Sequence, residues 1–198
     1  MRQLSRALAA LAAFACISAS AQVTLAGVKF DPEATVGGQK LPLNGAGVRF
    51  KAVFKVYAIG LYTPKKVTKN EEVLDARTPK RLQLVALRDV GGDEFGKLFS
   101  RAIEENATRE EFSKSINAVV RMGQIFADQK QFTKGDVILV DYVPGTGLTL
   151  TAKGKQQEVF KEPQFASIMY KIWFGAHPPD TSLQKALLGE SNYTNSGL

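Results

Sequence analysis

The 198-residue chain is 44% hydrophobic, carries one cysteine and one histidine, and has a formal net charge of +7. That size and apolar share fit one domain with a sizeable core, while the cysteine and histidine counts exclude a disulfide framework and a zinc site built from several imidazoles or thiolates. The basic residues Lys51, Lys55, Lys65, Lys66, Lys69, Lys80 and Arg81 are scattered between strand-like segments instead of massed on one helix, so a solvated, mildly cationic face is expected and no nucleic-acid partner.

Arg2 and Arg6 precede an apolar run over residues 7–17, and Ser18-Ala19-Ser20-Ala21 supplies the small residues a signal peptidase reads. Residues 1–21 are therefore expected to be a signal peptide, cut before Gln22, with the mature protein periplasmic or secreted. The run falls short of the roughly 20 apolar residues that span a bilayer, and no other stretch approaches that length, so no membrane segment is expected in the mature chain. Lipidation at Cys16 is the competing reading; Phe14 and the lack of Leu at position 13 fit it poorly. Cutting removes two positive charges and the only thiol, which leaves stability to packing.

Residues 23–30 alternate apolar with small or polar side chains and predict a first strand, ended by Asp31-Pro32-Glu33; residues 39–43 repeat the pattern weakly. Asn44-Gly45-Ala46-Gly47 reads as a turn leading into a long β-rich run over residues 48–62, dense enough in Val, Ile and aromatic residues to be buried on both faces. Gly60 within it suggests a bulge or a close backbone approach. Residues 81–88 alternate again as a strand.

The period then lengthens. Phe95, Leu98, Phe99, Ala102 and Ile103 recur at helical spacing behind Asp93 as a candidate N-cap, and Thr108 with Glu111 forms a capping box that opens a second helix carrying Phe112, Ile116, Val119, Val120 and Phe126. Both apolar stripes are expected to pack on a sheet. Residues 137–143, 148–152 and 156–160, joined by glycine turns, predict an antiparallel meander. Helices follow over residues 165–174 and 181–188, and residues 190–198 read as a flexible tail. The expected organisation is one domain over residues 22–189.

Ordinary catalytic equipment is sparse. His177 is the only histidine and stands in a Gly-Ala-His-Pro-Pro turn, where a structural or exposed role is expected. There is no phosphate-binding glycine motif and no HExxH; no metal and no cofactor are expected. Arg49 stands out, because a guanidinium in so apolar a stretch must reach solvent or meet an anion. Tyr57 follows shortly after it.

Leu43-Asn44-Gly45-Ala46-Gly47-Val48-Arg49, followed by Phe54-Lys55-Val56-Tyr57-Ala58-Ile59-Gly60-Leu61-Tyr62, resembles the paired motif of chalcone isomerases and their relatives. The order of the remaining elements is similar over residues 23–188. The resemblance implies an α+β fold, an open-faced β-sandwich with an antiparallel sheet, helices packed on one face and a ligand cleft between them. It also implies that Arg49 matches the arginine which stabilises the anion in the isomerases. Tyr57, however, stands where their strand threonine would be, residues 122–128 offer no tyrosine to match the water-holding one, and Ile172 or its neighbours replace a late polar group. An arginine with a strand tyrosine is instead similar to the fatty-acid-binding members.

The expected function is thus binding of a small amphipathic acid or phenol without turnover, with Arg49, Tyr57 and Tyr62 as ligand-binding residues. The alternatives are an isomerase of the chalcone type acting through Arg49, and a scaffold whose cleft is filled by its own side chains.

Overall fold

The computed structural model describes residues 22–190; the expected signal peptide and residues 191–198 of the expected tail lie outside the described residues. A small hairpin of β1 (Val23–Leu25) and β2 (Val28–Phe30) precedes β3 (Glu33–Val36), β4 (Gln39–Lys51) and β5 (Phe54–Tyr62). After the short helix α1 (Asn70–Leu74) come β6 (Lys80–Ala86), β7 (Val90–Gly91), the long helices α2 (Gly92–Asn106) and α3 (Arg109–Asp128), and β8 (Gln131–Phe132). The meander of β9 (Val137–Val143), β10 (Gly147–Ala152) and β11 (Lys155–Phe160) leads to α4 (Pro163–Phe174) and α5 (Thr181–Leu187).

Seven strands form one antiparallel sheet in the order β11-β10-β9-β6-β5-β4-β3. Strand alternation sorts its side chains. Tyr57, Ile59, Leu61, Leu84, Val140 and Leu150 point to the helices and share their core. Ala46, Val48 and Ala58 point the other way and are covered by Leu25 and Phe30 of the β1–β2 hairpin. This is the expected α+β arrangement, with helices on one face of an antiparallel sheet.

Several local expectations are corrected. Asn44-Gly45-Ala46-Gly47 is no turn but the middle of β4, and the run over residues 48–62 is a hairpin whose tip is Ala52-Val53, between the paired Lys51 and Phe54. Ala52 takes a positive φ of 53° there. The glycines serve helix packing instead: a Cβ on Gly45 would lie 2.2 Å from the Ala186 carbonyl oxygen and 2.6 Å from that of Leu187, and one on Gly47 would lie 2.7 Å from the Leu183 side chain. Close backbone approach, and not a reversal of the chain, is what these positions require. Asn44 beside them is buried; its amide donates to the carbonyls of Val67 and Leu187 and accepts from Val67 N–H. At Gly60 the close approach does occur, with a Cβ there meeting the Phe30 ring at 2.8 Å.

The capping box of Thr108 and Glu111 starts α3 as expected, whereas α2 begins two residues early, with Gly91 in place of Asp93 as its N-cap and Asp93 inside the first turn. The stripes do not both reach the sheet. Helix α4, apolar on nearly every side, takes the place against it, and α3 packs outside on α2 and α4. Leu98, Ile116 and Val120 are consequently exposed, Val120 at 63%. Lys80, grouped above with the solvated cations, is buried. Its ammonium donates to the carbonyls of Val73 and Asp75 at 2.6 Å and lies between the rings of Tyr142 and Tyr170, and burial pushes its pKa down to about 8.

If Gly45 exists to admit α5, Gly45→Ala should lower stability by about 1 to 3 kcal/mol, as overpacking does. Gly123→Ala should raise it by up to about 1 kcal/mol, since a Cβ there meets only Ser100 Oγ at 3.8 Å on a helix. Chemical denaturation midpoints of the two variants check the opposite signs.

Candidate functional site

The hairpin register brings the two singled-out residues together: Arg49 on β4 and Tyr57 on β5 are direct cross-strand partners. Gly45, Gly47 and Arg49 share the helix-facing side of β4. The first two are covered by α5; Arg49 lies just past that helix's N-terminus, where its side chain is 23% exposed. Immediately after this pair the register slips, Phe50 facing Lys55. The bulge turns both Val56 and Tyr57 toward one cleft, which simple alternation forbids.

That cleft has a volume of about 420 Å³ and runs between the β4–β5 hairpin and α2, within the range of about 300 to 1,000 Å³ usual for small-molecule sites. Its walls divide by chemistry. Val56, Val90, Phe95, Phe99, Ala102 and Ile172 make it apolar, while Arg49, Lys51, Arg88 and Arg101 outnumber Glu94 and Glu105 among its charged residues. Arg101 and Glu105 are paired with each other at 2.8 Å. The remaining balance favours an anionic guest. Among the described residues no serine, threonine, histidine or cysteine lines the cleft.

Tyr57 is held from the helix side. Its hydroxyl accepts a hydrogen bond from Trp173 Nε1 at 3.0 Å, and Trp173 is buried against Phe99 in an edge contact of 5.7 Å between centroids. Burial pushes the phenol's pKa up to about 12, against weaker opposing pulls from the Trp173 bond and the Arg49 charge. The hydroxyl therefore keeps its proton at neutral pH. Among the described residues that proton has no acceptor, so the group can donate to a guest.

Arg49 has one ionic partner among the described residues, Asp180, whose Oδ2 lies 3.7 Å from a guanidinium nitrogen. At that distance the contact is electrostatic and not a hydrogen bond. Asp180 is already engaged: as N-cap of α5 its Oδ1 accepts from the N–H groups of Ser182 and Leu183. The guanidinium is positioned by a fixed charge while its donors stay uncommitted, the state that suits bidentate capture of a carboxylate.

The third residue, Tyr62, lies on the opposite face. It is fully buried with Val36 and Leu41, and its hydroxyl donates to the Asp31 carbonyl at 3.2 Å. Five residues from Tyr57 means opposite parity on a strand, so Tyr62 holds the β2–β3 connection and does not reach the cleft. Trp173, Asp180, Lys51 and Arg88 were not anticipated. Only Asp180 left a sequence signal, an acidic residue directly before a helical segment. His177 has an exposed side chain and contributes backbone hydrogen bonds to Asn106. Among the described residues no cluster of three or more His, Cys, Asp or Glu side chains could hold a metal ion, and no helix is long and apolar enough to cross a membrane.

Comparison with known proteins agrees with this fold. The model of the chalcone isomerase-like family matches residues 22–189, and the chain belongs to that family. Its structure is similar to the crystal structure of a fatty-acid binding protein of Arabidopsis thaliana, with a TM-score of 0.67 and 15% sequence identity, covering 88% of this chain and 98% of that one. At that identity the likeness establishes the fold. No curated protein matches the sequence.

If the helix cap holds Asp180 in place, Asp180→Ala should cost about 1 kcal/mol of stability, whereas Asp180→Asn, which keeps the cap, should cost almost none. Thermal denaturation of the two variants reads the difference; equal losses would show that the ion pair with Arg49 carries the residue.

Proposed function

We propose that this protein binds a small amphipathic acid, its anionic head on Arg49 and Tyr57 and its apolar part along the cleft against α2, without chemical turnover. The observation that carries this reading is the cross-strand pair itself: a guanidinium with uncommitted donors beside a phenol that retains its proton, in a cleft that combines an apolar wall with a cationic majority of charged residues. The fatty-acid binding of the similar Arabidopsis protein supports the class of ligand. Ring closure of a chalcone calls for polar groups around a developing oxyanion; apart from Arg49 and Tyr57 the polar lining of the cleft is the charged set Lys51, Arg88, Glu94, Arg101 and Glu105, with no further hydroxyl and no imidazole among the described residues. A self-filled scaffold fits poorly with about 420 Å³ of open cleft.

Titration calorimetry with saturated and aromatic acids tests the proposal. Hydrogen bonds to charged groups contribute about 1.5 to 3 kcal/mol against about 1 for neutral ones. Arg49→Ala should therefore weaken binding by about tenfold to a hundredfold, and Tyr57→Phe by about fivefold. The methyl ester of a good ligand should bind far more weakly than its acid. Affinity should be flat from pH 7 to 10, because the Tyr57 phenol does not ionise until about 12, and should fall as the ligand's own carboxyl protonates near about pH 4 to 5. Equal affinity for acid and ester would refute the assignment of the head-group site.

We further propose that binding takes place outside the cytoplasm. The charged start, the apolar run and the small residues before Gln22 support this, as does the family match beginning at residue 22. N-terminal sequencing of exported material should give a chain starting at Gln22; a lipid-bearing chain starting at Cys16 would refute the proposed processing.

A further inference from the structure

Behind the cleft lies a second, much smaller void of about 10 Å³, lined by Leu84, Ala86, Ile138 and Phe132 and by four residues that also line the cleft: Val56, Tyr57, Val90 and Phe95. The two spaces are thus separated by a shared partition. Val56, Tyr57 and Val90 are set by the strands. Phe95, from the first turns of α2, is the one large apolar side chain in the partition supplied by a helix. Beyond it the void is walled by the apolar side chains of Leu84, Ala86 and Ile138 and by Phe132.

The partition is rigid. The Phe95 ring packs 4.6 Å from Phe99 at a tilt of 35°, meets Phe126 edge-on at 5.1 Å and lies 5.2 Å from Phe132. Its helix cannot retreat, because Gly92 and Gly96 bring α2 so close to α3 that a Cβ would stand 2.2 Å from the Phe126 carbonyl oxygen at the first and 3.0 Å from that of Gly123 at the second. A tail advancing from Arg49 therefore meets a fixed wall. Interiors packed like this do not yield continuously to a guest.

Resting on the acid-binding reading above, we infer that Phe95 sets the depth of the tail pocket and so determines which chain lengths the protein prefers. Each methylene that leaves water tightens binding about fourfold. In the wild-type protein that gain stops at the length that reaches Phe95, since further carbons remain in solvent at the cleft mouth. Trimming the ring joins the small void to the cleft and lets the gain continue.

The test is calorimetry on hexanoate, octanoate, decanoate, dodecanoate and tetradecanoate, kept below their micelle-forming concentrations, with wild type, Phe95→Ala and Phe95→Leu. Wild-type affinity should rise about fourfold per methylene and then level off. Phe95→Ala should follow the same rise and level off at a longer chain, with Phe95→Leu between them. Circular dichroism confirms folding, and Phe95→Leu carries the test alone if Phe95→Ala does not fold. Levelling at one length in all three proteins, or a uniform loss at every length in the variants, overturns the role of Phe95 while acid binding that depends on Arg49 stands. No binding of any acid by the wild type overturns both.

Discussion

The seating of α5 on β4 is the contact from which the site follows. Two carbonyls of the helix's last turn press against the bare backbone at Gly45, and Leu183 occupies the space above Gly47. Asn44 locks the arrangement by donating to Leu187 and exchanging hydrogen bonds with Val67. With the helix fixed there, its N-cap Asp180 stands beside the next helix-facing residue of the strand, Arg49. A charge that would otherwise be costly in an apolar setting is thereby oriented without being consumed. The motif from Leu43 to Arg49 is in physical terms a helix seat followed by a guanidinium held beside that helix's N-cap carboxylate.

Strand parity then decides which of the neighbouring aromatic residues can take part. Tyr57 faces the helices, where Trp173 fixes its hydroxyl and burial keeps it protonated. Tyr62 falls on the reverse face and is committed to Asp31. The bulge after Arg49 and Tyr57 adds Val56 to the same cleft, so a short hairpin presents a charge, a neutral donor and an apolar surface together. The cost of holding such a mixed surface open is met by the aromatic packing behind it, in which Phe95, Phe99, Phe126 and Trp173 contact one another.

Where local chemistry determined local structure, the sequence could be read directly. The Thr108–Glu111 box, the glycine turns of the meander and the alternation over residues 81–88 all depend on neighbours in the chain. Where the deciding partner lies far away in the chain, local pattern misleads. Gly45 and Gly47 look like a turn until α5, some 140 residues later, is known to rest on them. Leu98 looks like core until α4 takes the place on the sheet and leaves it at the cleft mouth. In the site, Arg49 was legible because an isolated charge in an apolar run demands a reason. Trp173 was not, because nothing in its own helix signals that its indole will meet a phenol on β5.

In the proposed complex the cross-strand pair of Arg49 and Tyr57 holds an acid's head while α2 lines its tail. A crystal structure of the complex with a medium-chain saturated acid tests this most directly. The carboxylate is expected within hydrogen-bonding distance of the Arg49 guanidinium and the Tyr57 hydroxyl, with the chain lying against Phe99 and ending at Phe95. A carboxylate bound elsewhere, with Arg49 still turned to Asp180 and the cleft unoccupied, would contradict it.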